Sequence, residues 1–239
     1  MAYSVIIPAA GSGSRMGANV PKVLLKIPGH SSGYSILMET VEKFHSDRRC
    51  THIIICYPVS SAEDFGAQVG HFERVLLVPG GQSRQESVYK GIQALVGRDE
   101  LAPSSVVLVH DAARCCVDRV TIENVLEGVA NYGAVTAGIP AVDSLCRVDD
   151  SAAVLSYLDR STTYMVQTPQ GFMLEDLYAA HRQAFHEGIE GTDDASLVAR
   201  IRSVHMVVGN KANLKVTHPG DMKAVGFYCS KREESDEGD

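Results

Sequence analysis

The apolar positions of this chain fall into short runs separated by amphipathic stretches. Runs rich in β-branched residues occupy 4–8, 52–57, 75–78, 106–109, 134–139, 204–208 and 214–216. Most are continuously apolar rather than alternating, the pattern of strands covered on both faces of a parallel sheet. Between them, apolar residues recur at helical spacing. Ser35 is placed to cap a helix with Ile36, Leu37, Val41 and Phe44 on one face, and Ser83 with Glu86 forms a capping-box pattern ahead of Val88, Ile92 and Leu95. Further helices are predicted over 118–132, 174–187, 193–202 and 219–230. This alternation predicts right-handed βαβ units in an α/β fold, a doubly wound, mostly parallel Rossmann-like sheet. Ligands of such sheets sit beyond the carboxyl ends of the strands.

One stretch breaks the alternation. Residues 141–159 hold two strand-like runs, 145–148 and 154–158, around the turn DDSAA, and predict an inserted β-hairpin arm. The arm has too little apolar content to stand alone, so a second subunit is the expected support. Residues 1–228 read as a single domain, and 229–239 as a charged, disordered tail.

Composition narrows the classes. The chain has 239 residues, 45% apolar and 21% charged, enough for one sizeable core. No apolar run is long enough for a transmembrane helix, and the N-terminus has no signal-peptide pattern. The six cysteines, Cys50, Cys56, Cys115, Cys116, Cys146 and Cys229, show no C-x-x-C pair and no metal-like spacing, which reads as reduced thiols in a cytoplasmic protein. A net charge of −7 argues against nucleic-acid or anionic-membrane partners.

The candidate chemistry starts in VIIPAAGSGSRMGANVPK, a strand that breaks into a glycine-rich loop. A dinucleotide fingerprint needs a third glycine where Met16 stands, and a P-loop needs Gly-Lys where Met16 and Gly17 stand, so both templates fail. What remains is a loop whose backbone at Ala9, Ala10, Gly11 and Gly13 can approach a ligand closely, with cations at Arg15 and Lys22. Two cations suit a triphosphate and the charge that develops on a transferred phosphoryl group. PGGQSRQESVYKGI follows a strand and opens a helix; Gly80 and Gly81 allow close approach, and Ser87 can hydrogen-bond an exocyclic group. VVLVHDAARCC sets Asp111 and Arg114 just past a buried strand. Asp111 there can help hold Mg²⁺ or a ribose hydroxyl, and Arg114 can fork to a phosphate; an exposed local ion pair between them is the plain alternative. His110 reads as structural. Lys215, in NLKVTHPGD, is either an edge-strand guard or a phosphate ligand.

P-A-A-G-x-G-x-R-M-G-x-x-x-P-K resembles the signature of nucleotidylyltransferases that use nucleoside triphosphates. Taken with the later motifs, in order to about Tyr228, the chain is most similar to the 2-C-methyl-D-erythritol 4-phosphate cytidylyltransferase family of the non-mevalonate isoprenoid pathway. The resemblance implies an enzyme that joins CTP to a sugar-alcohol phosphate with release of pyrophosphate, assisted by Mg²⁺. It implies Arg15 and Lys22 as catalytic, and Ala9, Ala10, Gly11, Gly13, Gly80, Gly81, Ser87 and Lys215 around the nucleotide. On the substrate side it implies Asp111, Arg114, Ser144, Arg160, Thr168 and Thr192. Asp111 is the protein's candidate metal ligand, the remaining ligands being triphosphate oxygens and water. Arg160 would reach across a homodimer formed through the β-arm.

The chain departs from the family pattern in three places: Cys115 replaces a proline after Arg114, and in PAVDSLCRVD Ser144 stands for a threonine and Cys146 replaces a lysine, with Arg147 on the opposite strand face. The rival readings are a ribitol 5-phosphate cytidylyltransferase, a dinucleotide-dependent oxidoreductase and a non-catalytic nucleotide-binding protein. A-A-G rather than A-G-G in the first loop, with the shorter spacing to P-K, favours methylerythritol over ribitol.

Overall fold

A computed structural model describes residues 1–11, 20–98 and 101–236. Seven strands form one sheet in the order β3-β2-β1-β4-β8-β5-β9, from β1 (Tyr3–Pro8), β2 (Cys50–Tyr57), β3 (Val75–Pro79), β4 (Val106–Val109), β5 (Ala134–Pro140), β8 (Tyr164–Met173) and β9 (His205–Val208). All neighbours pair in parallel except β8, which runs antiparallel between β4 and β5. The order reverses between β1 and β4, so the loops after these two strands diverge and open a crevice.

The strands are apolar on both sides because both faces are covered. In β1, Val5 and Ile7 pack with α1 (Ile36–His45), α2 (Ala62–Val69), α4 (Arg119–Tyr132) and α7 (Asp221–Asp236), while Ile6 faces α3 (Arg84–Val96), α5 (Leu174–Glu187) and α6 (Asp194–Val198). Ile53 and Ile55 against Ile54 and Cys56 repeat this split in β2. The helix starts follow local chemistry: the Ser35 and Ser83 hydroxyls accept from the N–H groups of Met38 (3.2 Å) and Glu86 (3.1 Å). Asp118 and Asp193 cap α4 and α6 in the same way.

Four sequence expectations are corrected. The segment around QTPQ, outside every run expected as a strand, lies inside the ten-residue strand β8. Pro169 lacks an N–H, which argues against a central strand, but the β5–β8 register breaks between Thr136 and Gly138, where the ladder does not need that donor. Residues 214–216 form no strand; they are held by single bonds such as Val216 N–H to the Ala113 carbonyl at 2.9 Å. The helix expected over 193–202 stops at Val198. The tail expected from 229 begins as the last turns of α7, which buries Cys229 and continues to Asp236.

The arm is present as β6 (Cys146–Val148) paired antiparallel with β7 (Val154–Tyr157), standing apart from the main sheet. Its apolar side chains face outward: Leu155 is 65% exposed and Tyr157 72%.

Candidate active site

A cavity of about 510 Å³ opens at the reversal point of the sheet. Ala9, Ala10 and Gly11 line it from the end of β1, Gly81 and Ser87 from the start of α3, and Asp111 from the turn after β4. Lys22 and Lys215 close it from two further loops. Eight of the residues expected from the sequence therefore share one cavity. Gly13 and Arg15 lie outside the described residues.

Asp111 is the hub. Its side chain is nearly buried, and it is ringed by cations: Arg84 Nε at 3.0 Å from Oδ1, Lys215 Nζ at 2.8 Å from Oδ2, and Arg114 Nε at 3.8 Å from Oδ2. Burial works to raise its pKa, but the charges of Arg84, Lys215 and Arg114 outweigh burial and hold the carboxyl well below the usual range. The ionised form is thus fixed. Lys215 reaches Asp111 because its segment is tied down at Val216, by the bond to the Ala113 carbonyl, and at Asn213. Arg114 Nη1 donates to the Asn213 carbonyl at 2.8 Å, and the Asn213 amide donates to the Thr168 carbonyl at 2.7 Å.

Lys22 sits in a short 3₁₀ turn after Pro21 and donates from Nζ to the Val216 carbonyl at 2.7 Å. The catalytic-lysine candidate is therefore held by the same segment that carries Lys215.

Ser87 is buried in the first turns of α3. Its hydroxyl donates to the Ser83 carbonyl at 2.8 Å and accepts from Gly81 N–H at 3.0 Å. Its proton is committed, and one lone pair remains. Gly80 does not itself line the cavity. It is needed because a Cβ there would collide with the Ala10 side chain and crowd the Ser87 hydroxyl; this close approach fastens the β1 and β3 loops together.

Several expected residues are placed otherwise. Thr168, expected to touch substrate, is buried: its hydroxyl accepts from Asp111 N–H at 3.0 Å and meets His110 Nδ1 at 3.1 Å. It positions Asp111 rather than facing the cavity. Thr192 is exposed and lines a smaller cavity of about 150 Å³ on the far side of Arg84. Ser144 and Arg160 are exposed on the arm, away from this chain's own cavity; Arg160 Nη1 donates to the Val142 carbonyl at 3.2 Å. Arg147 pairs across the arm with Ser156.

Arg84 is the functional candidate that the sequence reading passed over. It bridges Asp111 to Asp194, whose Oδ2 lies 2.8 Å from Arg84 Nη1, and Asp194 in turn meets His181 Nε2 at 3.0 Å. A signal was there: an arginine at the first position of a helix opposes the dipole, so its presence asks for a reason.

The donor set bears on a metal. Asp111 is the carboxylate lining the cavity, and each of its oxygens keeps a lone pair beyond its ion-pair partner. A hard cation carried mainly by phosphate oxygens and water fits beside one carboxylate of this kind. Among the described residues Arg84, Arg114 and Lys215 pair with Asp111 or Asp194 and Lys22 lines the same cavity, so cations outnumber these carboxylates, which suits a polyanionic ligand.

Comparisons with known proteins agree on one group. A family model described as 2-C-methyl-D-erythritol 4-phosphate cytidylyltransferase matches residues 3–231. Curated proteins of that name from Bacillus velezensis and Symbiobacterium thermophilum are 37% and 39% identical, covering 93% and 92% of this chain and 93% and 89% of their own. The crystal structure of the Francisella tularensis protein of that name superposes with a TM-score of 0.80 at 26% identity, covering 95% of this chain and 100% of its own. No helix among the described residues is long and apolar enough to cross a membrane.

Proposed function

The chain belongs to the 2-C-methyl-D-erythritol 4-phosphate cytidylyltransferase family, and from that premise we propose that it transfers the cytidylyl group of CTP to 2-C-methyl-D-erythritol 4-phosphate. The observation that carries this reading is the convergence of Lys22, Arg84 and Lys215, from three separate segments, on one cavity beside Asp111.

In the reaction a phosphate oxygen of the acceptor attacks the α-phosphorus in line. The new P–O bond forms as the bond from the α-phosphorus to the α,β-bridging oxygen breaks, and pyrophosphate leaves with the electron pair. A phosphate dianion is already nucleophilic, so no general base is required, and catalysis is placement plus charge neutralisation. Lys22, with Arg15, neutralises the crowded α-phosphoryl group. Lys215 does the same for the remaining phosphates. Mg²⁺ is the accompanying cation in this reading: Asp111 would stand beside it, with its other ligands from the triphosphate and water, and it would supply further charge neutralisation.

Ser87 supports the choice of base. Its remaining lone pair accepts a hydrogen bond but its committed proton cannot be given. Cytosine offers an amino donor where uracil offers a carbonyl acceptor, so the site accepts the first and opposes the second. Gly81 N–H is spent on Ser87, so the ring-nitrogen and carbonyl acceptors on the rest of the base edge call on other donors, such as backbone N–H groups of the first loop.

The acceptor side supports a homodimer. Val154, Leu155 and Tyr157 are exposed on the arm, and Arg160 does not line its own chain's cavity, as expected if each arm covers a partner's site in a cytoplasmic dimer. Pyrophosphate release measured with CTP or UTP against methylerythritol 4-phosphate or ribitol 5-phosphate tests the proposal. Release is expected with CTP and methylerythritol 4-phosphate; a higher kcat/KM with ribitol 5-phosphate would overturn the acceptor, and no release with any pair would overturn the activity.

A further inference from the structure

Behind the turn that carries Asp111 and Arg114, three thiols meet. Cys115 and Cys116 end that turn, and Cys229 comes from α7, far along the chain. All three are buried, at 0%, 3% and 3% exposure. Their sulfurs lie within 4.8 Å of one another, with Cys116 Sγ and Cys229 Sγ at 3.9 Å, and none is in a disulfide. The cavity machinery described above uses none of them.

From this geometry we propose that Cys115, Cys116 and Cys229 form a binding site for a thiophilic d¹⁰ divalent cation of the zinc and cadmium class. Three sulfurs at about 2.3 Å from a single ion stand about 4 Å apart. The 3.9 Å pair already has that spacing, and the third sulfur is within a small side-chain rotation of it. Soft thiolates select such ions over Mg²⁺, which prefers oxygen. Binding forms three S–metal bonds as three thiol protons leave to solvent, so a dication ends in a site of net charge −1. The Lys43 ammonium acts electrostatically on Cys229 from the neighbouring helix α1 and offsets part of that charge. A bound ion clamps α7 to the turn after β4 and so braces the backbone that aims Asp111 and Arg114.

Titration of the reduced, metal-free protein with Cd²⁺ is the test, read by the ultraviolet thiolate-to-cadmium charge-transfer band and by proton release. One ion per chain is expected, with release of up to three protons and a rise in Tm. Cys146→Ser, which removes the exposed arm thiol, should leave the band unchanged. Cys229→Ser and Cys115→Val should each weaken binding by on the order of 100-fold or more, with far-ultraviolet circular dichroism checking that both still fold. Absence of the band in the native chain overturns the proposal. So does a band that survives both cluster substitutions, or one that is lost with Cys146.

Discussion

Arg84 Nε lies 3.0 Å from Oδ1 of Asp111, and the other end of the same guanidinium reaches Asp194. One side chain thus serves two buried carboxylates. Asp111 lines the nucleotide cavity, and Asp194 belongs to the helix start that follows Thr192.

Removing Arg84 takes one of three cations from Asp111, which keeps Lys215 and Arg114, and leaves the buried Asp194 with His181 as its remaining partner among those described. The partial exposure of Arg84 softens the penalty, so Arg84→Met should cost about 2–3 kcal/mol of stability rather than the full value for a buried pair. It should also lower kcat/KM for CTP at least about tenfold, because Asp111 loses its aim. Thermal melts and steady-state kinetics check both; an unchanged Tm would mean that Arg84 is not the brace described.

Ser87→Ala removes the lone pair assigned to the cytosine amino group and frees Gly81 N–H. The preference for CTP over UTP should fall by roughly 10- to 100-fold, chiefly through a weaker kcat/KM for CTP. Competition assays with both nucleotides measure the ratio. Unaltered preference would move base discrimination elsewhere.

His110 provides a pH prediction. Burial, opposed by the Arg114 carbonyl and Asp111, lowers its pKa to about 4. Asp111 N–H donates to Thr168 Oγ1, whose proton goes to His110 Nδ1, and Nε2–H of the ring donates to the Arg114 carbonyl at 3.1 Å. That chain needs the neutral ring. The folded pKa lies below the unfolded value of about 6.5, so the unfolded state binds more protons between the two. The resulting stability is complete above about pH 6.5 and is lost as pH falls towards 4. Denaturant titrations across that window should show a loss of a few kcal/mol. His110→Gln, which cannot titrate, should flatten the slope; an equally steep slope in the variant would remove His110 as its source.

Shared sites across a dimer give a mixing test. Lys22→Ala alone should lower kcat by on the order of 10²-fold or more, with a modest change in CTP binding. Arg160→Ala should mainly raise KM for the acceptor. At acceptor concentrations well below the raised KM, where both variants are nearly silent, refolding them together makes hybrid dimers in which one site has both native residues, so activity should recover to about a quarter of the native level. No recovery, with hybrid dimers shown by sedimentation, would place Arg160 outside the partner's site.

Local chemistry decided much of this protein before it folded. Continuous apolar runs such as Ile53–Ile55 demand cover on both faces, and Ser35, Ser83 and Asp118 cap their helices wherever the rest of the chain goes. The first-loop motif and the HDAAR turn could be placed at the cavity because a doubly wound sheet delivers strand ends to its reversal point. What spacing cannot show is contact between distant segments. Pro169 hid the central strand β8, because only the register break in the assembled sheet makes a proline tolerable there. Thr168 carried a hydroxyl suited to a substrate, yet pairing of β8 beside β4 turned it inward to Asp111 and His110. Arg84 gained its role when α3 docked between Asp111 and Asp194, and three cysteines without any metal-like spacing were brought together when α7 packed behind the β4 turn. Periodicity and capping act over a few residues and are written in the sequence; charge pairing and thiol proximity depend on which segments the closed core sets side by side.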